Sequence, residues 1–105
     1  MKGYQLTFFT QQDRQHNQCP LGEWLMQTAM KLGIGGATLM TATEGFGQDR
    51  KLHSSHFFEL TDQPVQITMA VNEQQAERLF DYLKQQGIKM FYVKTPIEFG
   101  ITGDT

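Results

Sequence analysis

Alternation of apolar and polar side chains predicts the strands of this sequence. The pattern is clear from Lys2 to Thr10 and most regular from Val65 to Val71. Because successive side chains of a strand point to opposite faces of its sheet, this alternation is typical of a strand with one buried face. Three shorter segments are also predicted to be strands: Ala37 to Thr43, His56 to Leu60, and Lys89 to Lys94, which should end before Pro96.

Apolar residues spaced three and four apart predict two helices, each with one buried face. The first should begin at Pro20, whose missing N–H costs nothing there, and end at Gly33. The second should be capped by Asn72, with Gln75 completing a capping box, and should end at Gly87. Their buried stripes are Leu21, Trp24, Leu25, Ala29 and Leu32 in the first helix and Ala76, Leu79, Phe80 and Leu83 in the second.

The resulting order of strand, helix, strand, loop, strand, helix and strand predicts a single α+β domain over residues 1–105. This is the ferredoxin-like βαββαβ pattern, an antiparallel sheet with both helices on one face. The other face stays uncovered, and neighbouring aromatic pairs place apolar side chains on both faces: Phe8 with Phe9 and Phe57 with Phe58. An exposed apolar face of this kind is usually buried by other subunits, so we expect an oligomer.

Composition and charge exclude several classes of protein. The chain has 105 residues, 39% of them hydrophobic, and a net charge of −2. The sequence shows neither the basic stripe of a nucleic-acid-binding protein nor the roughly 18 apolar residues of a membrane helix. No signal peptide is visible, and Cys19 has no partner for an internal disulfide, so we expect a cytoplasmic protein.

Known catalytic and metal-binding motifs do not account for the glycines and histidines. Gly33, Gly35 and Gly36 follow a predicted helix, whereas a dinucleotide-binding fold needs its glycines between a strand and the next helix. His53 and His56 point to opposite sides of an extended segment and do not make a metal site by themselves. We therefore expect no enzyme, no resident cofactor and no metal.

The segment from Glu44 to Lys51 is predicted to be an exposed, mobile loop, because it mixes glycines with charged residues. The guanidinium of Arg50 and the ammonium of Lys51 can pair with phosphate or carboxylate groups. The alternative is a solvated loop whose charges only keep the surface hydrated. The residues alone leave both interpretations open.

Two motifs resemble those of a known family. Gly33-Ile34-Gly35-Gly36-Ala37-Thr38, followed by Glu44-Gly45-Phe46-Gly47, resembles the G-I-x-G-[MA]-T…[KE]-G-F-G signature of the PII signalling superfamily. The similarity is greatest to the bacterial PII-like family catalogued as domain of unknown function 190. It covers most of the chain and includes Pro20-Leu21, Leu52-His53-Ser54, and Leu60 with Pro64.

This resemblance implies a function. It implies a homotrimer that senses a small anionic metabolite or nucleotide in the clefts between its subunits. The loop of residues 45–53 would then carry the signal to a regulated protein or a membrane transporter. The ligand-binding residues implied by the resemblance are Gly35, Gly36, Thr38, Glu44, Gly45, Phe46, Gly47, Arg50, Lys51 and His53.

Two departures from the PII pattern concern adenine nucleotides. PII proteins hold the phosphates with a glycine- and lysine-rich loop after the second helix, where this chain has only Gly87-Ile88-Lys89. The PII tail also carries two arginines, and the comparable stretch here, Ile97 to Gly103, has none. We therefore predict that ATP binds weakly, if at all.

An alternative function is like that of the CutA proteins, which are trimers of the same fold. In that case the chain would bind a divalent metal or another small ligand. The charges of the loop separate the two hypotheses. Arg50 and Lys51 suit an anion, whereas a cation site needs carboxylates or more histidines.

Overall fold

The computed structural model describes residues 1–42, 44–45, 53–54 and 63–104. Its elements, in chain order, are β1 (Lys2–Gln11), β2 (Gln15–His16), β3 (Cys19–Pro20), α1 (Leu21–Lys31), β4 (Ala37–Thr41), β5 (Glu44–Gly45), β6 (His53–Ser54), β7 (Pro64–Val71), α2 (Glu73–Gln85) and β8 (Phe91–Glu98). Four of the strands form one antiparallel sheet in the order β4–β7–β1–β8. This confirms the predicted ferredoxin-like βαββαβ fold, to which the short ladders β2–β3 and β5–β6 are added.

Both helices pack on the same face of the sheet, over β1 and β7. The core between the layers consists of alternate strand residues and the inner stripes of the helices: Leu6, Phe8, Leu25, Ala29, Ile34, Val65, Ile67, Met69, Val71, Ala76, Leu79 and Leu83. Each fully buried aliphatic side chain contributes about 1.5–3 kcal/mol to stability. The predicted stripe residues Trp24, Leu32 and Phe80 are only partly buried and pack against the edge of this core.

The helix ends follow the predicted signals. Gly33 and Gly87 have φ angles of 79° and 69°, in the left-handed region that glycine adopts without strain. The amides of Gly87 and Ile88 donate to the carbonyls of Lys84 and Leu83, which is the Schellman pattern of helix termination. The capping box at the start of α2 is also present: Asn72 Oδ1 accepts from the Gln75 amide at 2.8 Å, and Gln75 Oε1 accepts from the Asn72 amide at 2.9 Å.

The last strand differs from its prediction. β8 begins at Phe91 and continues through Pro96 to Glu98, whereas the sequence predicted a strand over 89–94 that ends before the proline. Among the described strands β8 pairs with β1 alone, so it lies at an edge of the sheet. A proline is tolerated there because an edge strand leaves part of its hydrogen-bonding groups unpaired.

The segment between β1 and α1 also differs from its prediction. The polar residues after β1, which the sequence did not predict to be regular, form the hairpin β2–β3. Its turn residues Asn17 and Gln18 have φ angles of 52° and 64°, as a tight two-residue hairpin requires. The strand predicted at His56 to Leu60 lies outside the described residues.

The face of the sheet opposite the helices carries exposed apolar side chains. The side chain of Phe8 lies on the helix-covered face and is 1% exposed, whereas that of its neighbour Phe9 lies on the opposite face and is 38% exposed. The Phe9 and Phe91 rings lie 5.7 Å apart on this face, in directly paired positions of β1 and β8. Met40 and Val93 are also exposed. The second predicted aromatic pair, Phe57 and Phe58, lies outside the described residues.

Candidate functional site

An open depression of about 420 Å³ lies where β4, β7 and β1 run side by side. The backbone and side chains that line it are those of Gln5, Gly36, Ala37, Thr38, Thr68, Met69 and Ala70. The strand register explains why they meet. Thr38 pairs with Thr68 and Ala37 with Met69 across β4 and β7, while Gln5 pairs with Ala70 across β1 and β7.

Gly35 and Gly36 immediately precede β4. Neither has the left-handed φ that would call for glycine. A Cβ added at either position would meet no described atom within 4 Å. Gly3 is the opposite case, because a Cβ there would lie 2.0 Å from the Val71 carbonyl oxygen. Within the described part of the chain, no atom occupies the space that a side chain at Gly35 or Gly36 would take.

The polar groups of the depression are neutral. The hydroxyls of Thr68 and Thr7 lie 3.3 Å apart, and either can donate to the other. Thr38, Thr68 and Thr7 occupy directly paired positions on three adjacent strands, so their side chains form a row across the sheet. Gln5 adds a carboxamide at the next position of β1 on this face. Among the described residues that line the depression, none carries a charge. The site can donate and accept hydrogen bonds but supplies no counter-charge of its own.

The structure brings only some of the predicted site residues together. Gly36 and Thr38 line the depression, whereas Gly35, the residue before Gly36, is not among its lining residues. The ladder β5–β6 pairs the backbone of Gly45 with that of His53, and that of Glu44 with Ser54. The remaining predicted residues lie outside the described part of the chain: Phe46, Gly47, Arg50 and Lys51.

Sequence reasoning named neither Ala37 nor Met69 as lining residues, and on the face away from the helices it missed three more: Gln5, Thr68 and Ala70. Each belongs to a strand whose alternation was recognised, and each lies on the face away from the helices. The signal was the polar character of Gln5, Thr7 and Thr68 at positions that face away from the core. That signal identifies a polar face but does not say which polar residues meet.

The connection from α2 to β8 is occupied by the end of the helix. Gly87 and Ile88 form the Schellman cap, and Ile88 packs against the core. Between this cap and β8 only Lys89 and Met90 remain. There is thus little free backbone at this connection to wrap around a chain of phosphates.

The described residues also bear on metal sites and on membrane-spanning helices. Within residues 1–42, 44–45, 53–54 and 63–104, no three His, Cys, Asp or Glu side chains come together in a way that could hold a metal ion. Over the same part of the chain, no helix is long and apolar enough to cross a membrane.

Solved structures share this fold. The chain is similar to CPII, a nitrogen regulatory PII-like protein from Thiomonas intermedia K12 solved with ADP, AMP and bicarbonate. The TM-score is 0.72 at 16% identity, covering 96% of this chain and 91% of that one. It is also similar to a PII-like protein from Thermus thermophilus. There the TM-score is 0.60 at 16% identity, covering 91% of this chain and 86% of the other.

Sequence comparison identifies the family. The chain is 26% identical to the UPF0166 protein of Aquifex aeolicus (strain VF5) over 80 residues, which are 75% of this chain and 76% of that protein. A model of domain of unknown function 190, described as Uncharacterized ACR, COG1993, matches residues 3–98. This confirms the resemblance found in the sequence motifs, and the chain belongs to the family catalogued as domain of unknown function 190.

Proposed function

We propose that this chain is a PII-like regulatory module. It forms a homotrimer, binds a small anionic metabolite or nucleotide in the clefts between its subunits, and acts through the loop of residues 45–53. Its target is a regulated protein or a membrane transporter. The structural relative CPII, which was solved with ADP, AMP and bicarbonate, supports ligands of this size and charge.

The observation that carries the proposal is the depression at Gly36, the residue that directly follows Gly35. Within the described chain, neither a left-handed φ nor crowding calls for glycine at these two positions. Glycine lowers stability because the unfolded chain is more flexible, and no described contact offsets that loss at these positions. Gly100 is equally uncrowded but does not line the depression, so it is the position of Gly36 at the depression that supports a ligand there. A ligand that approaches the Gly36 backbone would use the space that the missing side chain leaves open. The depression that adjoins Gly36 gives such a ligand its place.

The proposed site includes the loop of residues 45–53 because of its positive charges. The groups that line the depression are neutral, so they can hold the uncharged part of a ligand by hydrogen bonds but cannot balance a phosphate or carboxylate. Arg50 and Lys51 carry the required positive charge on the segment between β4 and β7. In the proposed complex they pair with the anionic part of the ligand, and Glu44, Gly45, Phe46, Gly47 and His53 surround it.

The homotrimer explains the exposed face of the sheet. Phe9, Met40, Phe91 and Val93 are between 38% and 58% exposed in one subunit. Packing of these side chains against other copies removes apolar surface from water at about 25 cal/mol per Å². The depression opens on the same face, so a neighbouring subunit that covers the face also walls the ligand site.

Titration calorimetry on the purified full chain tests the proposal, with ADP, AMP, bicarbonate and ATP in separate experiments. We expect saturable binding of ADP, AMP or bicarbonate, with ATP weaker because the cap at Gly87 and Ile88 leaves little backbone for its phosphates. Thermal unfolding with the same compounds is an independent check, because a ligand that binds only the native state raises its stability.

The same titrations and unfolding experiments with divalent metal ions distinguish the CutA-like alternative from the anion sensor. Stabilisation by a metal ion with none by any of the four anions would contradict the anion sensor and support metal binding. Binding of neither class would contradict both hypotheses for these ligands.

A further inference from the structure

The hairpin β2–β3 joins two parts of the molecule that are distant in sequence. It lies between the end of β1 and the start of α1 and is bounded by two backbone hydrogen bonds. The Gln12 amide donates to the Gln63 carbonyl at 3.0 Å, immediately before β7, and the Leu21 amide donates to the Arg14 carbonyl at 2.8 Å. The base of the hairpin segment is therefore hydrogen-bonded to Gln63, the residue that precedes β7.

Side chains of the same segment reach the connection between α2 and β8. The Arg14 guanidinium donates to the Lys89 carbonyl. His16 Nε2 lies 3.3 Å from Gln86 Oε1, at the end of α2. The His16 ring also meets Trp24 of α1 edge to face, with centroids 4.6 Å apart. Residues 12–16 thus contact both the start of β7 and the end of α2.

The hairpin is not stable by itself. Each of its strands has two residues, and even longer isolated hairpins are marginal in water. Its turn also places Gln18 at a φ of 64°, a left-handed conformation that is unfavourable for a residue with a Cβ. The hairpin therefore depends on its contacts with Lys89, Gln86 and Trp24. Loss of those contacts would open it.

We propose that residues 12–20 form a conformational clasp. When it is closed, it couples the entry into β7 with the connection between α2 and β8, and when it opens, both are released together. Gln63 immediately precedes β7, so the clasp is a route by which a displacement of Gln63 by the proposed loop of residues 45–53 reaches the far end of α2. Only this use in signalling rests on the proposed function; the clasp itself does not.

Hydrogen exchange at single amides, measured by NMR on the full chain without ligand, tests the clasp. The reporter amides are those of Gln12, Leu21 and Ile88, which donate to Gln63, Arg14 and Leu83. If the clasp opens as a unit, the three share one opening equilibrium. They then exchange faster than Ile67, which belongs to the interior strand β7 and is 0% exposed.

The substitution Gln18→Gly strengthens the turn, because glycine adopts the left-handed conformation without steric cost. We expect the protection of all three reporter amides to rise by about two- to fivefold, because the steric cost that is removed is partly offset by the larger conformational entropy that glycine loses when the turn closes. Gln18→Ala is the matched control. It shortens the same exposed side chain, keeps the strained φ, and should leave protection unchanged.

Two results would overturn the clasp. In the first, Gln12 and Leu21 gain protection in Gln18→Gly while Ile88 does not, which would mean that the hairpin and the connection move independently. In the second, Ile88 exchanges as slowly as Ile67 in the parent protein, so that the connection opens only with global unfolding. Neither result depends on whether the protein binds a nucleotide.

Discussion

Substitution of Gly36 by alanine should raise the stability of the protein while it weakens ligand binding. The structure predicts the direction of both changes, in stability and in affinity. A Cβ at position 36 meets no described atom within 4 Å, and the backbone there is outside the left-handed region. The new methyl group therefore costs nothing in the free subunit. It does, however, project into space beside the depression, where the proposed ligand approaches.

The stability change follows from the unfolded chain. Replacing glycine by alanine at a compatible position stabilises a protein by about 0.4–1 kcal/mol, because the unfolded state loses conformational freedom. For a domain of this size that corresponds to a rise in Tm of roughly 2–8 °C. Thermal unfolding of the ligand-free protein measures it. Gly100→Ala is the matched control, since Gly100 is equally uncrowded, has no left-handed φ, and does not line the depression.

The binding change is measured by titration with ADP. A ligand that contacts the Gly36 backbone must shift to clear the added methyl group, and we expect its affinity to fall at least about tenfold, or 1.4 kcal/mol. Gly100→Ala should bind ADP as the parent protein does. Equal ADP affinity in the parent and in Gly36→Ala would refute the reasoning, because the open glycine would then have no ligand beside it. A fall in Tm would refute the claim that the subunit does not need glycine at this position.

The other predictions concern the ligand, the loop, the assembly and the core. ATP should bind more weakly than ADP in calorimetry, and a low-micromolar ATP affinity would show that the chain holds triphosphates without the PII arginines. Replacing Arg50 and Lys51 by alanine should leave the fold and the assembly intact. It should weaken ADP binding by about 1.5–3 kcal/mol per charge-assisted hydrogen bond lost. Parent binding should be salt-sensitive, and equal affinities of parent and double variant would leave these residues with a solubilising role only. Light scattering should give three times the subunit mass of 12.0 kDa, and a mass near 12.0 kDa would contradict the trimer. Leu79→Ala, at a fully buried position of α2, should lower the free energy of unfolding by about 2–5 kcal/mol in a denaturant titration, and a loss below about 1 kcal/mol would contradict the described core.

The sequence predicted those parts of the fold that are specified by neighbouring residues. The capping box of Asn72 and Gln75 and the helix ends at Gly33 and Gly87 each depend on a few adjacent backbone groups, so their signals are local. The alternation in Val65 to Val71 is equally direct, because it reflects one buried face.

What the sequence did not predict depends on the positions of elements in space. A strand through Pro96 is possible only because β8 lies at the edge of the sheet, and the order of strands is a property of the whole fold. The hairpin turn at Gln18 was missed because glutamine does not favour a left-handed φ, and contacts with other elements hold it there. At the depression, the glycine motif identified Gly36, but Gln5 and Thr68 joined it only through the pairing of three strands.

A structure of the full protein determined in the presence of ADP tests the central claim most directly. We expect a trimer, with ligand density in the depression beside Gly36, next to the hydroxyls of Thr38 and Thr68, and walled by a second copy of the chain. Arg50 and Lys51 should lie against the phosphates. Ligand density elsewhere on the subunit, or a depression left open to solvent in the assembled protein, would contradict it.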